Sequence, residues 1–141
     1  MKKLSSTIAL LAILGGGFSA AAGEGHDHGV PGAVAAPKGG EIQPALGGYL
    51  ELVRIGNVLK IYPYDGKTKA LPMTALSDVE ATAEVVPAKN AKPVVTKLVL
   101  KSNADHFETS FDPKKSHLYT LKVAFKINGK ADSVAYKVER N

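Results

Sequence analysis

From Gly48 to Glu139 the chain breaks into short runs in which apolar side chains fall on every second position. That period belongs to a half-buried strand rather than to a helix. The clearest run, "HLYTLKVAFKI" (His117 to Ile127), puts Tyr119, Leu121, Val123, Phe125 and Ile127 on one face and Thr120, Lys122 and Lys126 on the other. Asn128-Gly129 follows, a strong two-residue hairpin turn, and leads into "KADSVAYKVE" (Lys130 to Glu139), where Val134, Tyr136 and Val138 continue a single apolar face. An earlier pair, "GYLELVR" (Gly48 to Arg54) and "VLKIYPY" (Val58 to Tyr64), is joined by a short glycine-containing link and closed by Asp65-Gly66, so it reads as another hairpin.

Three runs lie between these hairpins. "DVEATAEVV" (Asp78 to Val86) is rich enough in alanine to pass as a helix, but Val79, Ala81, Ala83 and Val85 share a period-two face between Pro72 and Pro87, which favours a strand. "PVVTKLVLKS" (Pro93 to Ser102) reads as one strand, and "HFETSF" (His106 to Phe111) as a short one. Seven strands at this spacing predict an all-β chain: an immunoglobulin-like antiparallel β-sandwich, with a small β-barrel as the alternative. Tyr119, near the start of the penultimate strand, stands where such sandwiches carry a tyrosine corner.

The first residues follow a different pattern. "MKKLSSTIALLAILGGGFSAAA" has two lysines, an apolar core from Ile8 to Leu14, a glycine break and a small-residue end, the three-part layout of an export signal over residues 1–22. The apolar core is far below the roughly 20 residues that span a bilayer, so the mature protein is expected to be periplasmic or secreted and not membrane-embedded. Residues 23–38, "GEGHDHGVPGAVAAPK", carry no apolar period and read as a flexible arm, leaving 39–141 as one sandwich domain. The chain has no cysteine, which excludes disulfides and thiolate metal sites. Its net charge of +5 includes the signal's Lys2 and Lys3, and the remaining lysines are scattered, so nucleic-acid binding finds no support.

Candidate chemistry is sparse. No paired carboxylates, nucleophile with its base or phosphate-cradling loop stands out, so the chain is not expected to be an enzyme. His26, Asp27 and His28 place two imidazoles and a carboxylate within three residues, a donor set that suits copper or zinc. Cleavage after Gly23 would put His26 third in the mature chain, where the free amine, two amides and the imidazole form a square-planar site for Cu(II) or Ni(II). Cleavage after Ala22 loses that chelate, and the arm is then equally readable as a soluble spacer. His106, His117 and Met73 form a second set that could complete a copper site if the fold brought them together. By alternation His106 faces away from Phe107 and Phe111 and should be exposed.

The first half of the chain also resembles small exported bacterial proteins and segments of the adaptor subunits of heavy-metal efflux pumps. Their pattern is a His-rich arm, then "P-H-G-G-x-[IV]", "Y-x-x-E-L-V" and a "Y-x-x-D-G-K" turn. Here the matching residues are His26 and His28, Pro37-Lys38-Gly39-Gly40-Glu41-Ile42, Tyr49-Leu50-Glu51-Leu52-Val53, and Tyr62-Pro63-Tyr64-Asp65-Gly66-Lys67. The resemblance implies a periplasmic β-sandwich concerned with metal handling, partnered by a membrane efflux or envelope protein. One ligand that it would lend is missing, because Lys38 stands where the pattern has histidine. The competing expectation is a metal-free interaction or envelope-structural module.

Overall fold

A computed structural model describes residues 34–140. Among these residues nine strands form two antiparallel sheets: β1 (Glu41–Ala45), β2 (Gly48–Ile55), β3 (Val58–Asp65), β4 (Leu76–Val85), β5 (Val94–Leu98), β6 (Lys101–Ser102), β7 (Phe107–Ser110), β8 (Leu118–Ile127) and β9 (Lys130–Glu139). One sheet runs β1-β2-β3-β7-β6 and the other β5-β4-β8-β9. Within them β2, β3, β7 and β6 follow the A-B-E-D order of the immunoglobulin fold, and β4, β8 and β9 follow C-F-G. β1 is added beyond A and β5 beyond C. The sheets stay separate, so the arrangement is a sandwich and not a closed barrel.

Alternation explains the core directly. Leu50 and Leu52 of β2, Leu59 and Ile61 of β3, Ala81 and Ala83 of β4, Leu121, Val123 and Phe125 of β8, and Val134, Tyr136 and Val138 of β9 are buried together between the sheets. Each large side chain removed from water this way contributes roughly 1.5–3 kcal/mol. The segment read as strand rather than helix is β4, with its apolar residues on the face expected. Asn128 and Gly129 adopt φ of 53° and 79°, the left-handed pair required by a type I′ turn, and set the full-length pairing of β8 with β9.

Two departures account for nine strands instead of seven. β1 was not expected: its only aliphatic strand former is Ile42, and it contains Pro44, which a strand tolerates at a sheet edge where no outward N–H is needed. The run from Pro93 to Ser102 is two strands in different sheets. The chain leaves the four-stranded sheet after Leu98 and joins the other at Lys101, with Val99 87% exposed at the crossing. A continuous apolar run hides such a switch, because both halves look like strand.

The tyrosine corner is also revised. Tyr119 is buried and meets Phe111 edge-on at a centroid distance of 4.9 Å, but among the described residues its hydroxyl makes no hydrogen bond. Tyr136 makes the bond between sheets instead, donating from its hydroxyl to the Leu50 carbonyl at 2.8 Å. No helix among the described residues is long and apolar enough to cross a membrane.

Candidate functional site

The polar chemistry of the domain gathers on the outer face of the five-stranded sheet. Register pairs Glu51 of β2 with Tyr62 of β3, and Tyr49 with Tyr64 beside them. Alternation would leave Glu51 in solvent, because Leu50 and Leu52 on either side point into the core. Glu51 is nevertheless fully buried, since the turn Pro37–Gly40 folds back across it. Its carboxylate accepts from the Lys38 amide at 3.0 and 3.1 Å, from the Gly40 amide at 2.7 Å and from the Tyr64 hydroxyl at 2.8 Å. Burial first, and then the bond to Glu51, push the Tyr64 hydroxyl pKa up, so this tyrosine stays a donor.

Gly40 is needed at this point for space. A Cβ there would run into the Leu52 carbonyl oxygen, so only glycine lets the turn lie close enough to reach Glu51. The P-x-G-G, Y-x-x-E-L-V and Y-x-x-D-G-K stretches are therefore parts of one structure. In the last of them Asp65 accepts from the Lys67 and Lys69 amides at 2.8 and 2.9 Å, bonds that hold its carboxyl below the usual carboxylate range. The Lys38 amide already belongs to the domain through these bonds.

Beside this closed site lies an open one. The Lys38 ammonium sits 5.2 Å above the Tyr62 ring, and the His106 imidazole packs on Tyr62 with centroids 4.9 Å apart and planes tilted by 33°. His106 Nδ1 lies 2.7 Å from Asp105 Oδ1, while Nε2 faces Asn103 Nδ2 at 3.1 Å and Glu108 Oε1 at 3.4 Å. In the tautomer protonated at Nδ1, Asp105 accepts that proton and Nε2 accepts from the Asn103 amide. The bond from His106 lowers the Asp105 carboxyl pKa, with the positive charge of Lys38 adding to it. Tyr62 is shifted the other way, by burial and then by the charges of Asp105, Glu51 and Glu108.

The expectation that His106 is exposed is corrected here: its side chain is only 13% exposed. Alternation gave its direction, away from the core, but Tyr62 on the neighbouring strand covers the ring. The second metal set does not assemble. His117 precedes Leu118, and Met73 lies just before Leu76, which pairs with Ile127. Leu118 and Ile127 are the two ends of β8, on the order of 30 Å apart. Met73 packs against the core, where its flexible thioether fills space, and His117 is exposed. His26, Asp27 and His28 lie outside the described residues.

A search of known protein families, curated proteins and solved structures finds no match. The chemistry therefore has to be read from the residues themselves. Among the described residues no group of three or more His, Asp or Glu side chains is arranged to hold a metal ion. The His106 corner shows why: it offers a single imidazole, whose Nε2 is capped by Asn103, and two carboxylates already engaged, Asp105 by His106 and Glu108 by Asn103. That falls short of the four ligands that a structural zinc site requires. Asp105, Glu108 and Asn103 are not singled out by the sequence reading, although the spacing Asp105-His106-x-Glu108 places two carboxylates beside one imidazole and is a readable signal.

Proposed function

We propose that the protein is an exported, non-enzymatic β-sandwich that handles divalent copper or zinc as an accessory to a membrane efflux or envelope protein. His26 and His28 are the principal ligands in this reading, with Asp27 beside them. The observation that carries it is the Glu51 anchor. It fixes the amides of Lys38 and Gly40, and with them the turn that follows the histidine-bearing stretch in the sequence. Within the sandwich, His106 keeps an Nε2 capped by a neutral amide that a metal can displace.

The experiment is a calorimetric titration of the mature protein with Cu(II) and with Zn(II), repeated on a variant lacking residues 23–33. Binding in the low micromolar range or tighter is expected for the mature protein, weakened at least tenfold by the deletion. Binding weaker than about 10 μM (about 7 kcal/mol) in both proteins overturns the metal reading. Equal binding by both removes His26 and His28 as ligands. Mass spectrometry of the exported protein checks the other half of the proposal: a mature chain beginning at Gly23 or Glu24 is expected, and an uncut chain contradicts export by this signal.

A further inference from the structure

The two flanks of the four-stranded sheet are finished differently. At the β9 flank, β1 lies alongside and the Leu46 amide donates to Asp132 Oδ2 at 2.9 Å. At the other flank, among the described residues, β5 has β4 as its only neighbour, so the outer row of N–H and C=O groups from Val94 to Leu98 has no strand partner there. Val94 and Thr96 point to the core side, in line with buried Leu98, yet both are exposed, Val94 at 54%. No strand of the five-stranded sheet lies over them. They form instead one wall of a groove of about 550 Å³, with Val85 and Pro87 behind them and Phe111 and Pro113 opposite.

The charge around this edge is mainly positive. Lys92 precedes β5, Lys97 lies within it, and Lys114 and Lys115 stand at the mouth of the groove. Of the acidic groups nearby, Asp112 is taken up by the Lys114 amide and by Arg140, and Glu80 pairs with Lys97 at 3.8 Å. Glu84, opposite Val95, remains on the outer surface. Lys114 and Lys115 form no ion pair among the described residues.

We propose that the β5 edge is a docking site for an extended segment of a partner protein in which apolar and acidic residues alternate. Such a segment adds to the sheet as a further antiparallel or parallel strand. Its backbone pairs with Val94–Leu98, its apolar side chains continue the Val94 and Thr96 row into the groove, its alternating carboxylates face Lys97 on the outer side, and an acidic residue at the end of the segment meets Lys114 and Lys115 at the mouth. A second copy of this chain is a poorer occupant, because pairing β5 with β5 sets the same lysines against each other. The site is remote in the fold from the His106 corner and does not depend on metal binding.

The test uses the mature protein and a fluorescein-labelled peptide of about ten residues alternating glutamate and valine, a common strand length. Anisotropy should show saturable binding with a Kd of about 10–100 μM. Val94→Asp, which adds a negative charge at the exposed groove wall, and the pair Lys114→Glu and Lys115→Glu should each weaken it at least tenfold while the melting temperature stays unchanged. Amide exchange of Val94–Leu98 should slow when the peptide is added. Three results overturn the proposal: no saturation by about 1 mM, equal binding by poly-glutamate or by the same residues arranged in two blocks, or concentration-dependent dimerisation in the ultracentrifuge that Val94→Asp abolishes. The second would mean charge alone, and the third a second copy as the occupant.

Discussion

Glu51 and His106 stand on the same outer face of the five-stranded sheet, linked through β3, and differ in what each leaves for a ligand. Both of Glu51's oxygens are filled by the Lys38 and Gly40 amides and the Tyr64 hydroxyl, and water is excluded. His106 is held between Asp105, Asn103 and Glu108, with those carboxylates half open to solvent. A fully satisfied buried polar group specifies structure. A partly exposed one retains acceptors that can change partner. The lesson is that the motif residues, which look like a functional signature in the sequence, serve to fix the Pro37–Gly40 turn on the sheet, and the exchangeable chemistry sits across β3.

Removing the closed site should have the largest effect. Glu51→Ala strips the acceptor from two amides and a hydroxyl and should cost about 3 kcal/mol. For a domain of this size that lowers the melting temperature by about 10 °C or more, measurable by circular dichroism. A change of less than about 0.5 kcal/mol would mean that the Pro37–Gly40 turn is not held by Glu51. At the open site, Lys38→His adds an imidazole beside Tyr62 and should strengthen Zn(II) binding about tenfold, or about 1.4 kcal/mol, read by calorimetry. Unchanged affinity would separate position 38 from the metal. Tyr64→Phe removes one of the three donors to Glu51 and should cost about 1 kcal/mol in denaturant unfolding.

His106→Ala should have the smallest effect on stability, within about 0.5 kcal/mol, while moving a titration. The hydrogen bond from His106 holds the Asp105 carboxyl below its ordinary value of about 3.9. A lowered carboxyl pKa stabilises the fold above that ordinary value, and the contribution is lost as pH falls through the lower, folded value. NMR titration of the Asp105 carboxyl should therefore give a value below 3.9 that rises in the variant. No rise would mean that the contact between His106 and Asp105 is not made in solution.

How much of this was legible depended on whether the cause was local. β8 and β9 could be read because ten residues of strict alternation and an Asn128-Gly129 turn carry their own instructions. β1 could not, since one isoleucine and a proline give no period. The burial of Glu51 lay beyond alternation for the same physical reason that made it interesting: what covers it is a turn eleven to thirteen residues away, held by bonds to the backbone that no side-chain pattern records. His106 was given the right face and the wrong exposure, because its cover, Tyr62, comes from another strand. Met73 and His117 looked able to meet only while the length of β8 between them was unknown.

The most direct test of the account is the imidazole NMR spectrum of the mature protein during addition of Zn(II). The account predicts that His26 and His28 move together and saturate, and that His117, on the sandwich, stays still. Four unmoved rings at about 1 mM zinc, or His117 moving with the others, would contradict it.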